Sequence, residues 1–400
     1  MSRLPACRRF VAALSLGVAA HVANVAVHAE TEGGADVRVY HFSILDDTVV
    51  AQKDAQIAII RAKIKTDLAD QLEFETHAVF SLNRPPTVAN NASILAGSTR
   101  RFFDLSVESH NKGQVGAMAD IDRLNLRWAH PGFDLVAGRQ AVTWGVNYFW
   151  PVLDLFAPFA PQQVDRDYKA GVDAVRLTVP TGSFSQVEMI GAAQGREVDD
   201  LSFATLGRAH SGTTDFGFMA GSFHGDTVIG TFVTAGAGGT GIRAEIAYTD
   251  SGDPLDKLID REQFTRASLG FDRQLSPYVT LIAEMSYNGF GAEDPLGYVR
   301  IAQADRVMRG EISSLGRTYA GLSLGWQIHP LWTLSEAVLH NGTDGSTLAQ
   351  TFVDWAISTG TNIQFGASVG FGDDDPSLGP VPSEYGAVPL NGWFAIKAFF

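Results

Sequence analysis

The sequence predicts an all-β protein: a transmembrane antiparallel up-and-down β-barrel of about eighteen strands, with sixteen as the alternative count. Three observations carry this expectation. Apolar and polar residues alternate with period two over segments of roughly nine to eleven residues, the length of a membrane-crossing strand. The connections between segments alternate between short and long. The chain opens on an export-type leader and closes on an alternating aromatic segment.

Composition narrows the classes first. The 400 residues are 45% hydrophobic and only 18% charged, with 41 Gly and 25 Phe. So many apolar residues exclude disorder. A single Cys excludes a disulfide framework. After the N-terminus no apolar run approaches the ~20 residues of a spanning helix.

Residues 1–29 read as a secretory signal. Arg3, Arg8 and Arg9 form the basic region, Val11 to Ala20 the apolar region, and Val27-His28-Ala29 a small-residue cleavage site. Cys7 lies before that site and is lost with it. Losing three arginines and no acid moves the net charge from −14 to −17. An acidic surface argues against nucleic-acid binding. Residues 30–56 are taken as an N-terminal segment that contains a first strand, and residues 57–400 as the barrel.

The alternation is clearest from Ile60. Ile60, Ala62, Ile64, Thr66 and Leu68 oppose Arg61, Lys63, Lys65 and Asp67. Leu72, Phe74, Thr76, Ala78 and Phe80 then oppose Glu73, Glu75 and His77. Two such runs around a tight polar turn form a hairpin. The pattern returns with Leu124, Leu126 and Trp128 against Arg123, Asn125 and Arg127. It returns again around Arg176, Glu188, Arg243, Glu245, Arg266, Asp272 and Glu284. About eighteen segments lie between Val37 and Phe400.

A barrel this wide cannot fill its interior with apolar side chains. The charged face must therefore line the lumen and the apolar face must meet lipid. The pore-lining candidates are Arg61, Lys63, Lys65, Glu73, Glu75, Arg123, Arg127, Arg176, Arg243, Glu245, Arg266 and Glu284. Both signs are present, whereas much of the surplus acid falls in loops such as Asp250 to Glu262.

Short turns include His130-Gly132, Thr181-Gly182, Ser276-Pro277, His329-Pro330 and Ser358-Gly360. Long connections include Thr143 to Ala170, Ala193 to Leu201, Asp250 to Glu262, Gly289 to Arg317 and Gly372 to Asn391. The strand count is ambiguous only between Asn83 and Ala119. Trp128, Tyr278, Trp326 and Trp332 stand beside short turns, where an aromatic girdle belongs. Phe394, Ile396, Ala398 and Phe400 share one face of the last segment. A terminal Phe there resembles the assembly signal of Gram-negative outer-membrane barrels.

Several motifs mimic enzyme sites. Gly321-Leu322-Ser323-Leu324-Gly325 and Gly366-Ala367-Ser368-Val369-Gly370 fit the nucleophile-elbow letters but fall mid-strand, where no sharp strand-to-helix turn exists. Gly236 to Gly241 fits a dinucleotide fingerprint but leads into another strand rather than a helix. His340, Asp344 and Ser346 sit at a strand end, and Asp373-Asp374-Asp375 reads as a solvated acidic loop. No catalytic residue, metal or cofactor is expected.

Trp144 to Asp173 is the most distinctive stretch. A long loop normally sheds aromatics, yet this one holds Trp144, Tyr148, Phe149, Trp150, Phe156, Phe159 and Tyr168. Folding into the lumen would bury them and narrow the passage. Trp144, Tyr148, Trp150, Phe156, Phe159, Asp165, Arg166 and Tyr168 are the constriction candidates.

The run Gly138-Arg139-Gln140, Trp144-Gly145, Pro151, Asp154, Pro158, Asp165-Arg166-Asp167-Tyr168-Lys169 and Gly171-Val172-Asp173 resembles porin-like outer-membrane barrels of proteobacteria. That group is similar to alginate- and exopolysaccharide-export porins. The resemblance implies a bacterial outer-membrane channel for a hydrophilic solute or polymer, with a lean toward polysaccharide export. A nutrient-diffusion porin, a plugged structural or adhesive barrel, and a barrel hydrolase are the alternatives. Expected partners are outer-membrane lipid, the solute, the barrel-assembly machinery and separate periplasmic export proteins, with no nucleic acid.

Overall fold

A computed structural model describes residues 30–45, 54–84, 100–110, 115–251, 262–375 and 381–400. The expected leader, residues 1–29, and most of the acidic loop after Asp250 lie outside them. Among the described residues there are nineteen strands. They are β1 (Thr31–Ile44), β2 (Asp54–Ala69), β3 (Leu72–Arg84), β4 (Val107–His110), β5 (Gly116–His130), β6 (Phe133–Gln140), β7 (Val172–Pro180), β8 (Gln186–Ala193), β9 (Leu201–Ser211) and β10 (Thr214–Phe223). They continue as β11 (Asp226–Ala237), β12 (Thr240–Asp250), β13 (Gln263–Ser276), β14 (Val279–Asn288), β15 (Thr318–His329), β16 (Trp332–Asn341), β17 (Thr347–Ser358), β18 (Thr361–Phe371) and β19 (Asn391–Phe399).

Eighteen of these make one closed antiparallel wall. Each long strand pairs with its neighbours in the chain, and β19 closes on β1, with Asp36 opposite Phe399 and Ile44 opposite Asn391. Closure removes every unpaired edge, as a hydrocarbon environment requires. The first strand begins at Thr31, so the wall includes residues ahead of position 57.

The ambiguous stretch before Ala119 resolves as the extra strand β4. It pairs with the end of β5 where β6 has already left the wall: Leu124 is the last β5 residue opposite β6, whereas Val107 sits opposite Ala119. The stretch before β4 covers a charged pair on the outer side of the wall. Arg139 lies on the face of its cross-strand partner Leu124, which points outward. It is buried against Asp173 at 2.8 Å and donates to the Ile121 carbonyl at 2.7 Å. The Phe103 N–H closes the Asp173 side at 2.9 Å. A charge facing lipid is costly unless paired in this way.

The faces sort as the alternation requires. Ile60, Ile64, Leu126, Val175, Ile229, Ile246, Leu269 and Leu322 are exposed on the outside. Tyr278, just before β14, and Tyr287, near its end, are exposed aromatics at the two ends of this strand. Nine residues at ~3.4 Å each, tilted by ~40°, span roughly 23 Å, close to the ~25 Å apolar band of such barrels. At the short-turn end Trp332 stacks on Trp355 at 4.9 Å and Trp128 meets Phe133 at 5.1 Å.

The short turns share a device. The register slips by one residue beside four of them, leaving Leu68, Leu275, Ile328 and Ile357 as the extra residues. All four are exposed aliphatics. A bulge sharpens the twist where the strand ends. The Gly236–Gly241 motif is the β11–β12 hairpin. Gly238 and Gly239 have φ of 57° and 79°, the positive pair that a two-residue type I′ turn needs.

Gly138 shows where wall packing tolerates no side chain. Its φ is +118°, and an added Cβ would lie 2.2 Å from the Leu124 carbonyl oxygen. Gly138→Ala is expected to destabilise the folded barrel by about 1–3 kcal/mol. A lower urea midpoint in detergent, read by loss of the compact form on a gel, checks this.

The inner face departs from the expectation of a uniformly charged lumen. Tyr40, Phe42, Ile57, Ile59, Trp393 and Ala395 form a buried apolar cluster inside the wall at β1, β2 and β19. Three more clusters form where loops fold inward.

Candidate functional site: a lumen crossed by one long loop

At Gln140 the chain leaves the wall and crosses the lumen as residues 141–171, returning at Val172. The Gln140 amide fixes the departure by donating to the Val136 and Ala174 carbonyls, each at 3.1 Å. Trp144 is fully buried and donates its Nε1–H to Glu188. It packs edge-on against Phe156 at 5.5 Å. Together with Leu153, Leu155, Ile190, Leu206, Met219 and Phe232 it builds a core between loop and wall.

Two wall carboxylates hold the far end. Glu245 on β12 accepts the backbone N–H groups of Val146, Asn147 and Leu153, the last two at 2.7 Å. Glu284 on β14 accepts those of Tyr148, Phe149 and Trp150 at 2.9, 3.0 and 2.7 Å. Six consecutive or near-consecutive donors are thus gathered by two acceptor-only groups, a carboxylate version of a backbone nest. Glycines on the inner face make room. A Cβ at Gly230 would lie 2.4 Å from Leu153, one at Gly270 2.6 Å from Asn147, and one at Gly321 2.6 Å from the Phe149 ring.

The return limb swings to the opposite wall. Asp165 accepts from Arg38 of β1 at 2.5 Å, and Asp167 accepts from Lys397 of β19 at 2.9 Å. The Tyr168 ring lies under the Arg61 guanidinium at 4.1 Å and beside that of Arg38 at 4.9 Å, while its hydroxyl accepts from Lys63 at 2.9 Å. These are cation–π geometries in a partly dry setting. A bulge in β5 places Asp122 beside Arg123, both inward. Asp122 accepts from Arg61 at 2.6 Å and from the Gly171 N–H at 3.1 Å, which fixes the loop exit. Within the loop Lys169 pairs with Asp154, and Arg166 donates to the Ala160 carbonyl at 3.1 Å while lying over Tyr148. Gln350 of β17 donates to the Gln162 carbonyl at 3.3 Å.

On the short-turn side of the loop lies a polar cavity of about 480 Å³. Two ion pairs line it, Lys65 with Glu73 at 2.9 Å and Arg127 with Asp134 at 2.7 Å, and its Glu75 contacts His77 at 3.2 Å. Arg176 also lines it and has no ion-pair partner among the described residues.

All twelve strand positions singled out from the sequence sit on the inner face, but four do not line open space, Arg61 among them because Tyr168 and Asp122 cover it. Glu245 and Glu284 are covered by the loop, and Arg266 is buried 3.6 Å from Glu311 of the β14–β15 connection. Arg243 pairs with Asp272 at 2.9 Å. Of the loop aromatics, Trp144 and Phe156 pack on the wall, Trp150 leans on Tyr319 at 5.5 Å, Phe159 is half-buried, and Tyr148 is the most exposed. Arg38, Asp122, Asp167 and Lys397 were not anticipated. The enzyme-like motifs fall within strands, at their ends or in a hairpin. Ser323 and Ser368 lie mid-strand, and His340 contacts Thr347 at 3.0 Å rather than Asp344 or Ser346. No cluster of metal-ligating residues occurs among the described residues.

No family model matches the chain, and no curated protein matches it. Solved structures do. The Acinetobacter baumannii OccAB4 structure covers 93% of this chain and 98% of its own, with a TM-score of 0.54 and 11% identity. Pseudomonas aeruginosa OccK11 (OpdR) covers 92% and 96%, with a TM-score of 0.57 and 7% identity. A BenF-like porin from Pseudomonas fluorescens Pf-5 covers 93% and 98%, with a TM-score of 0.56 and 9% identity. These matches do not support the likeness to alginate- and exopolysaccharide-export porins. What the chain shares with them is its fold, a closed antiparallel porin-like barrel with eighteen wall strands.

Proposed function

We propose that this protein is a bacterial outer-membrane channel for passive passage of small hydrophilic solutes. The observation that carries the reading is the loop of residues 141–171, which narrows a polar, charge-paired lumen inside a wall whose outer face is an apolar belt. The porins it resembles in fold support it. The same loop argues against polysaccharide export, because it crosses the lumen and is tied to β1, β12, β14 and β19. Liposome swelling with sugars and amino acids of graded size tests the proposal. Monosaccharides should enter and long oligosaccharides should not. Absence of any entry through folded protein would overturn the channel, and polymer entry would restore export.

A plugged structural barrel is the second reading, favoured by the number of walls the loop reaches. In the channel reading, the long connections face outward from the cell and the short turns face the periplasm. The lumen-exposed pairs Lys65–Glu73 and Arg127–Asp134 would give weak ion selectivity.

The assembly role of Phe400 belongs to the same proposal. Its backbone N–H and carbonyl pair with Ala35 at 2.8 and 3.1 Å, which closes the β19–β1 seam, while its ring is exposed. Deleting Phe400 is expected to lower the outer-membrane yield of heat-modifiable barrel sharply, and an undiminished yield would remove the role.

A further inference from the structure

A second segment enters the lumen beside the long loop. Residues 381–390, between β18 and β19, place Tyr385 and Val388 against Phe149, Trp150, Tyr319, Leu339 and Leu348. Two carboxyl groups, Glu384 of this segment and Asp344 beneath it, have no basic partner among the described residues. Glu384 accepts from the Asn341 amide at 2.7 Å, from the Tyr319 hydroxyl at 2.5 Å and from the Leu315 N–H at 3.2 Å. Asp344 accepts from the Tyr298 hydroxyl at 2.8 Å, from the Glu384 N–H at 2.8 Å and from the same Asn341 amide at 3.1 Å. One amide therefore bridges both acids. Asn341, Tyr298, Tyr319 and Tyr385 are buried around them.

The groups facing this pair come from every neighbouring element. They are Tyr319 of β15, Asn341 at the end of β16, Tyr298 of the short helix α1 (Tyr298–Ala302), the Leu315 backbone and Tyr385 of the segment itself. Among the described residues neither acid makes an ion pair. Arg317, whose backbone N–H meets Thr343 next to Asp344, pairs instead with Glu293 at 2.9 Å.

We propose that Glu384, held beside Asp344 by the bridging Asn341 amide, is a proton-operated lock that seats residues 381–390 in the lumen when its carboxyl is protonated and releases them when it ionises. The proposal rests on the channel reading for its consequence, a narrower passage at acid pH. Burial, helped by the Asp344 charge, pushes the Glu384 carboxyl from 4.5 to about 7. An acid raised in the seated state holds its proton there after the released state has lost it. Seating is therefore strongest at low pH. It weakens by up to ~tenfold per pH unit between about 4.5 and about 7, then levels off.

Hydrogen exchange of peptides from residues 381–390, corrected for the intrinsic pH dependence of the chemistry, reads the lock directly. Protection should fall as pH rises from 4.5 to 7 in the native barrel and be independent of pH in Glu384→Gln. Tyr319→Phe removes a donor to the carboxylate and should move the window upward, which keeps the test open if Glu384→Gln fails to assemble. Identical pH profiles in native and variant barrels, or none at all, would overturn the lock. Conductance recorded in parallel separates the two ideas. A channel whose 381–390 protection ignores pH loses only the lock, whereas a barrel with the protonation response and no conductance loses only the channel.

Discussion

Replacing Glu245 and Glu284 together by Ala should raise single-channel conductance several-fold. Each carboxylate gathers three backbone N–H groups of the crossing loop. A hydrogen bond to a charged group contributes ~1.5–3 kcal/mol, so either residue alone still leaves several kcal/mol of tethering. Only the double substitution frees the span from Val146 to Leu153. The released N–H groups then face lumen water, so the strand wall bears little of the penalty. The barrel should remain heat-modifiable on a gel while its conductance in planar bilayers climbs. A folded double variant with native conductance would show that the Trp144–Leu153–Phe156 core holds the loop without the glutamates.

A charge placed on the outer belt should have the largest effect on stability. Ile246 stands near the middle of β12, exposed and opposite Thr231 and Ala267. Ile246→Arg is expected to cost about 2–4 kcal/mol in a bilayer, the range for a cation near mid-depth on a barrel's lipid face. Thr178→Arg, on the inner face beside the polar cavity, should cost much less, since the side chain reaches water. Urea titrations of both variants in lipid vesicles compare them. Equal midpoints would contradict the assignment of faces.

The wall was largely legible because period two is a one-bit code for face. Arg61, Lys63 and Lys65 against Ile60, Ile64 and Leu68 orient β2 without further information. Turn spacing then gave the alternation of ends, and the one uncertain stretch was where β4 stands in for β6. Depth was not legible. Alternation places Glu245 and Glu284 inside but says nothing of a segment about a hundred residues away laying its backbone on them. A signal for that docking did exist: Gly230, Gly270 and Gly321 fall on inner positions near those acids, where only a closely approaching chain needs a missing Cβ.

Other departures have equally local causes. Tyr40 and Phe42 share the inner face with Arg38, so β1 carries apolar residues on both sides. Asp122 and Arg123 are neighbours in sequence and both face inward, which strict alternation forbids and a bulge permits. Arg139 sits on the outer face, where no charge is expected, because Asp173 and the Phe103 backbone enclose it. The lean toward a polymer cargo came from a short local resemblance, which the solved structures of similar fold do not support.

The central claim is that the loop narrows the lumen without sealing it. Single-channel recording of the native barrel in planar bilayers tests this most directly. Discrete, reversible conductance steps smaller than those of the Glu245→Ala, Glu284→Ala double variant are the expected result. Folded, inserted protein that conducts nothing until the loop is released would contradict the claim and leave a plugged barrel in its place.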